Sequence, residues 1–321
     1  MRDLEKTVRC RDRLFLLRVE TSHAPADYQK YEDLRKAIWG FPDDHLAGTR
    51  NMMCENFLAE GGSLFIGAFA EADAGGSAAD PGQLVGFCYG FVGTADKEVG
   101  FRDPSNLRFY SQFAGVKPEY YQYGLGVLMK EYQREIILEL YGLGTVICTY
   151  DPLTGVNARR NVHHFGMEVQ EYRVATYGEY GGHLNRADVP TDRFLMAWDL
   201  HKPARPETTD SRPSLDGVAS VFRVETRRVK GKTSERELEV VRAADLDLNP
   251  RTLLIQIPSD FYLMLRETDV GDPDVRRIPV DWRLQTRRAF QTLFARGYRV
   301  VDFEKAAGPH GRNLYVLINS D

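Results

Sequence analysis

The chain has 321 residues, of which 43% are hydrophobic and 27% charged, and its formal net charge is −4. That balance supports a packed core over disorder, and it lacks the basic surplus that nucleic-acid binding calls for. No stretch approaches the ~20 apolar residues of a membrane span, the first residues show no secretory leader pattern, and Cys10, Cys54, Cys88 and Cys148 are scattered without a CxxC, so zinc ribbons and disulfide frameworks are not expected and a reducing cytoplasm is.

In chain order, residues 13–21 (RLFLLRVET) read as a strand, and 27–40 (DYQKYEDLRKAIWG) as a helix stopped by Gly40 before Phe41 and Pro42. Residues 61–72 (GGSLFIGAFAEA) and 83–93 (QLVGFCYGFVG) are two β-runs around the exposed, low-complexity loop DAGGSAADPG. Residues 106–116 (NLRFYSQFAGV) form the next strand, and a helix over 122–141 follows, with Leu125, Leu128, Met129, Tyr132, Ile136 and Leu140 spaced three or four apart along one buried face. Residues 143–151 (LGTVICTYD) read as a central strand and 157–166 (NARRNVHHFG) as a short helix ending at Gly166. Two strands, 167–178 and 193–200, flank the polar loop EYGGHLNRADVPTD. Residues 201–217 (HKPARPETTDSRPSLDG) have linker chemistry. Beyond them lie strands at 220–229 and 252–258, a helix at 281–297 and closing strands at 298–304 and 313–318. The short basic run RRVKGK is an exposed turn. HHFGMEVQEY and FARGYRVVDF share a helix–Gly–strand order, so a degenerate internal repeat is one reading of the last third.

The segment VKPEYYQYGLGVLMKEYQRE sets Gly124 and Gly126 where a helix begins. Glycine weakens a helix by roughly 1 kcal/mol relative to alanine. It also bares the unpaired N–H groups of the first turn, which attract anions. Close strand–helix packing is the alternative reason for both glycines. The spacing is neither a dinucleotide GxGxxG nor a GK[ST] phosphate loop, so another pyrophosphate is indicated.

The run V-x-P-E-Y, then G-L-G, then an amphipathic helix resembles the acyl-CoA-binding motif of the GNAT acyltransferase superfamily. That motif usually opens on Arg or Gln, where this chain has Tyr121 with Gln122 beside it. TYDPLTGVNARRNVHHFGMEV resembles the superfamily's later strand and short helix. DPL…NA..N…G, LNR…PTDRF and DWR resemble those of a less studied GNAT-related group of about this length with an added C-terminal domain. The resemblance implies an α/β (α+β) fold, with a mixed, mostly antiparallel sheet flanked by helices. It implies a GNAT-like domain over 1–205 and a smaller α+β domain over 206–321, read as a degenerate GNAT-like half or an unrelated addition. It further implies acetyl-CoA or another acyl-CoA as co-substrate, held by Ala114, Gly115, Val116, Gln122, Tyr123, Gly124, Leu125, Gly126 and Val127, with Asn157 and Asn161 from the short helix.

Acyl transfer to an amine needs a neutral amine, a stabilised thioester oxygen and a leaving thiolate. By the resemblance, Asp151 is a candidate base and Gln112 a residue that orients a water or the substrate. The superfamily's usual acid, a tyrosine, aligns with Val162, which leaves His163 and Tyr172 as candidates, with Tyr177 a third. His163 and His164 point about 100° apart on a helix, so no metal is expected from them. Asn185, Arg186 and Arg193 in the polar loop can grip a substrate carboxylate or serve local salt bridges. The expected function is acyl-CoA-dependent N-acylation of a small amine, an amino acid among the candidates, with acetyl the default acyl group and succinyl an alternative. The other reading is a non-catalytic acyl-CoA-binding sensor or assembly module. The expected partners are the small amine and possible further copies of the chain, with neither nucleic acid nor membrane.

Overall fold

The computed structural model describes residues 4–22, 24–40, 62–70, 82–205, 215–305 and 311–319. Cys54, Phe41, Pro42, most of the DAGGSAADPG loop and part of the proposed linker lie outside them. Compactness divides the chain into one unit of residues 1–148 with 199–201, and a second of 149–198 with 202–321. The division by compactness falls at Cys148/Thr149. Within the second unit, side chains of 149–198 hydrogen-bond to the last third of the chain. Tyr150 Oη lies 3.0 Å from Tyr315 Oη, Tyr315 Oη donates to Pro152 O, and Arg287 pairs with Asp192.

The first unit is a sheet with order β1-β2-β3-β4-β5-β6. Its strands are β1 (Glu5–Cys10), β2 (Arg13–Val19), β3 (Ser63–Ala70), β4 (Gln83–Thr94), β5 (Leu107–Val116) and β6 (Thr145–Tyr150), whose end passes into the second unit. Neighbours from β1 to β5 pair antiparallel, and β5 pairs parallel with β6. Helix α1 (Pro25–Trp39) stops as expected at Gly40, which takes φ 62° and donates its N–H to Lys36 O at 2.8 Å. Its Tyr28, Tyr31, Leu34 and Ile38 are buried, at the spacing of one helix face. Tyr31 meets Phe65 of β3 and Phe87 of β4 edge-on at 5.8 and 5.6 Å. The helix expected over 122–141 is a composite. A 3-10 turn over Pro118–Tyr123 precedes α2 (Leu125–Ile136), and wider turns continue to Tyr141 before Gly142 at φ 63°.

The second unit is also mixed. Helix α3 (Gly155–Ala158) runs into a wide turn over Arg159–His164, with Phe165 N–H donating to Arg160 O. Strands β7 (Glu168–Arg173) and β8 (Arg193–Asp199) pair antiparallel around the long polar loop. A two-stranded ribbon joins β9 (Phe222–Lys230) to β10 (Glu235–Ala244). A three-stranded antiparallel sheet orders β11 (Thr252–Ile257), β13 (Asn313–Asn319) and β12 (Tyr298–Lys305). Helices α4 (Phe261–Glu267), α5 (Pro273–Arg276) and α6 (Ile278–Ala295) complete it. Phe194, Phe290 and Tyr315 meet edge-on at its core, 4.8 to 5.7 Å apart. Among the described residues, no helix is long and apolar enough to cross a membrane.

Candidate functional site

In the first unit the sequence-predicted residues cluster at the end of β5 and the start of α2. Gly124 sits between the 3-10 turn and α2 with φ 67° and ψ 18°, backbone that side chains disfavour. A Cβ there would meet nothing within 4 Å, so conformation and not crowding selects the glycine. The close-packing reason weighed for it in the sequence does not apply. Gly124 and Gln122 are exposed, Gly126 and Val127 half-buried, and Leu125 buried. Val127 N–H donates to Gly124 O at 3.0 Å, so that group is already used. Leu125 and Gly126 lie in the first turn, whose N–H groups a helix leaves without intrahelical acceptors. Tyr123 packs 5.2 Å from Phe15 and carries Arg13 at 6.0 Å over its ring, which anchors the loop to β2.

β5 departs from a regular strand at Gln112. The register steps from Gly90↔Ser111 to Tyr89↔Phe113, leaving Gln112 as an exposed bulge residue. The parallel ladder to β6 consists of Phe109↔Val146 and Tyr110↔Ile147, so within this unit the edge of β5 from Ser111 to Val116 runs on past the end of that ladder. Ala114 lies half-buried on this stretch and Val116 closes it buried. Gly115 has a steric reason to be glycine, since its Cβ would come 2.5 Å from the Trp39 ring. Beneath the bulge, buried Lys130 donates to Ser111 Oγ and, at 3.0 Å, to Gln133 Oε1.

In the second unit, three segments far apart in sequence converge. Asp151 comes from DPL, Asp192 and Arg193 from PTDRF, and Arg283 from DWR. Asp151 Oδ2 accepts from Arg283 Nη2 and lies 3.7 Å from Arg193 Nη1, while Oδ1 accepts the Leu153 N–H at 2.9 Å. Burial works to raise the Asp151 pKa, but the two guanidinium charges and these hydrogen bonds outweigh it and hold the carboxyl below its ordinary value. Burial likewise disfavours the Arg283 cation, and Asp151 more than compensates. Asp192, fully buried, takes Arg287 in a two-point pair with both distances 2.8 Å. It also accepts the Tyr172 hydroxyl at 2.8 Å and the Ala175 N–H at 3.0 Å. Burial first, then Asp192 and Asp151, push the Tyr172 phenol far above its ordinary value against the pull of Arg283. Arg193 donates to Tyr180 Oη at 2.7 Å and stacks 5.2 Å from the Tyr177 ring, whose hydroxyl lies 2.7 Å from Thr149 Oγ1.

Sequence reasoning named Asp151, Tyr172 and Arg193 for separate jobs, and the structure brings them into one network. It missed Asp192, Tyr180, Arg283 and Arg287. Arg283 carried a readable signal, because it falls on the buried stripe of α6 with Thr286 and Phe290, where an unpaired charge is not expected. The other candidates lie elsewhere in this unit. The side-chain oxygens of Asn157 and Asn161 both accept from Arg160, at 3.0 and 3.1 Å. Asn157 also donates to Thr154 Oγ1. Arg186 is spent inside the unit on Asp188, Thr268 and Arg276 O, and Asn185 donates to Tyr180 O at 2.7 Å. His163 Nδ1 lies 2.9 Å from Asp302 Oδ1, which Arg205 approaches at 3.1 Å. His163, Asp302 and Glu304 bring ligand-type atoms within 4.8 Å of one another, with the Arg205 cation on the aspartate.

No family model and no curated protein matches the chain. Among solved structures it is similar to a ribosomal-protein-S5-alanine acetyltransferase from Vibrio fischeri, at 11% identity and TM-score 0.44 over 63% of this chain and 100% of that one. It is similar to Arabidopsis thaliana NAA60 in complex with acetyl-CoA, at 13% identity and TM-score 0.43 over 59% and 99%. A putative acetyltransferase of the GNAT family from Desulfovibrio desulfuricans aligns at 14% identity and TM-score 0.40 over 57% and 99%.

Proposed function

We propose that this chain is an acyl-CoA-dependent N-acyltransferase of the GNAT superfamily acting on a small amine. The observation that carries the reading lies in the first unit: a strand, β5, that runs on past its parallel ladder and leads within a few residues to a helix starting on left-handed, exposed Gly124. The N–H groups of Leu125 and Gly126 would hold the pyrophosphate, and the β5 backbone from Ala114 to Val116 would hold the pantetheine. With both reactants fixed in line, the neutral amine attacks the thioester carbon, the C–N bond forms as the C–S bond breaks, and CoA leaves as the thiolate while the nitrogen gives up one proton to water. A backbone donor on the β5 edge polarises the thioester oxygen.

Gln112, exposed on its bulge, is the candidate for orienting the amine or a water. Asp151, tied to two arginines, is a weak base in its present state, so its contribution would be to fix the charge pattern rather than to take the proton. Of the acid candidates, Tyr172 donates its hydroxyl to Asp192 and His163 Nδ1 lies against Asp302, so no acid is assigned. Acetyl is the default acyl group and succinyl the alternative.

Thermal denaturation with acetyl-CoA, succinyl-CoA, CoA and NAD tests the reading. A ligand at a hundred times its Kd adds ~2.7 kcal/mol. Stabilisation by the thioesters but not NAD is expected, and no response to any CoA species overturns it. A second reading, a non-catalytic acyl-CoA sensor, draws on the commitment of Tyr172 to Asp192 and of Asp151 to arginine, and on the buried Val162 where the usual acid would stand. Release of free CoA thiol on adding an amine panel excludes that sensor. Tight thioester binding without release across the panel favours it.

A further inference from the structure

The charges around Asp151 do not balance. Three arginines, 193, 283 and 287, face two carboxylates, and Arg287 with Asp192 already form a closed two-point pair. Asp151 is therefore the nearest counter-charge of both Arg193 and Arg283, with Asp192 acting on Arg283 from further off and its backbone oxygen accepting from Arg193 at 2.8 Å. The Arg283 side chain is 0% exposed, and only its Nη2 meets Asp151. Its Nε and Nη1 are buried with no hydrogen-bond partner, and so is the hydroxyl of Thr286, one turn along the same face of α6. Phe261, 5.3 Å from the guanidinium, offers a cation–π contact but no lone pair. Buried donors on a charged group are costly to leave unmade, more so than on a neutral one.

What would complete the cluster is a single negative charge with two acceptor oxygens, one for an open Arg283 donor and one for the Thr286 hydroxyl. A carboxylate has both properties. A doubly charged phosphate would set two negative charges beside Asp151 and overshoot the surplus. We propose that Arg283, with Arg193 and Thr286, binds the carboxylate of a small ligand beside Asp151 in the second unit. The donors are closed off from solvent in the state described here, so binding is coupled to a parting of the side chains around them. This site rests on the second unit alone and does not depend on the acyl-CoA reading.

The test uses the full chain and two acids, L-alanine and succinate, each against its methyl ester. Calorimetry and thermal denaturation are expected to register the acids and not the esters. A response to alanine identifies the ligand as an α-amino acid, and a response to succinate as a dicarboxylic acid. Thr286→Val, which keeps the shape and removes the hydroxyl, should weaken the responding acid about tenfold. Arg283→Gln should abolish the response. Because Arg283→Gln can unfold the unit, Arg193→Lys is made alongside it and should weaken binding by releasing the contacts to Asp192 O and Tyr180 that hold the charge beside Asp151, while keeping the charge. The proposal is overturned if neither acid registers, if esters and acids register alike, or if affinity survives both Thr286→Val and Arg193→Lys. CoA binding, titrated in the same samples, is unaffected by any of these outcomes, so the two readings fail separately.

Discussion

The helix start at Gly124 and the arginine network around Asp151 handle charge by opposite means. The first uses backbone only. Its residues are glycine and apolar neighbours, it faces open space, and whatever positive potential it has comes from oriented N–H groups. The second is made of side chains, nearly all buried, in which full charges are set against one another and donors are left over. A backbone site costs little to keep unoccupied, because water solvates it. A buried ionic site is expensive to break, and donors left over in it are costly to leave unmade. The contrast teaches where the two proposed sites would differ: the one in the first unit would hold a cofactor by its backbone, and the one in the second would select a ligand by fixed side-chain charge.

Mutation can break that contrast at either end. The largest effect expected is from Asp151→Asn, which leaves Arg283 without its counter-charge and should cost about 3–5 kcal/mol in urea unfolding. A loss below about 1 kcal/mol would mean the network is far better solvated than its burial indicates. The same residue sets a pH signature. Its folded pKa lies below the unfolded value near ~3.9, so its stabilisation is present above that pH and is lost as pH falls through the folded pKa. The acid limb of the stability curve should therefore be shallower in Asp151→Asn than in the parent. Next comes Gly126→Glu, which places bulk and negative charge at the helix start. It should weaken CoA about a hundredfold, ~2.8 kcal/mol by calorimetry, with unfolding nearly unchanged, and an unaltered CoA affinity would falsify the backbone cradle. Gly124→Ala separates conformation from crowding. It should cost ~1–2 kcal/mol of stability through the left-handed backbone alone, and a loss of CoA affinity larger than the loss of stability would show that the added methyl meets the ligand. The smallest effect sharpens the comparison from outside it. Lys6→Gln removes an exposed pair with Glu135, both partners more than 40% exposed, and should shift the thermal midpoint by no more than an ordinary surface pair, ~0–1 kcal/mol.

Local pattern made most of the first unit legible. The strands with alternating or continuous apolar residues, the stop at Gly40 and the glycine turn before α2 all follow from rules acting over a few residues. β1 was not called, because Glu5, Lys6 and Arg9 give it no apolar face of its own. β10 is hidden for a related reason: charged Glu235, Arg236, Glu237, Glu239 and Arg242 interrupt its apolar residues, and its strand character comes from the ribbon it forms with β9. Helix α4 is seven residues long and α5 four, too short for a periodic signal. The linker-like stretch after 200 is a feature of composition, whereas the split at Cys148/Thr149 reflects long-range packing, which a sequence does not display. The same holds for the network. DPL, PTDRF and DWR were each noticed, but charge pairing across some 130 positions is a property of the fold. What pointed to it was Arg283 on a stripe otherwise reserved for buried residues.

The close approach of Trp39 to Gly115 makes β5 optically addressable. The chain has three tryptophans, and Trp39 belongs to the first unit while Trp198 and Trp282 belong to the second. The indole of Trp39 rests where a Gly115 side chain would be, and beside the Phe113 ring at 5.3 Å. With Trp198 and Trp282 replaced by phenylalanine, the remaining emission would come from a chromophore in touch with the backbone that is proposed to hold pantetheine. Occupancy of the strand could then be followed in real time by fluorescence, without a label and without waiting for turnover.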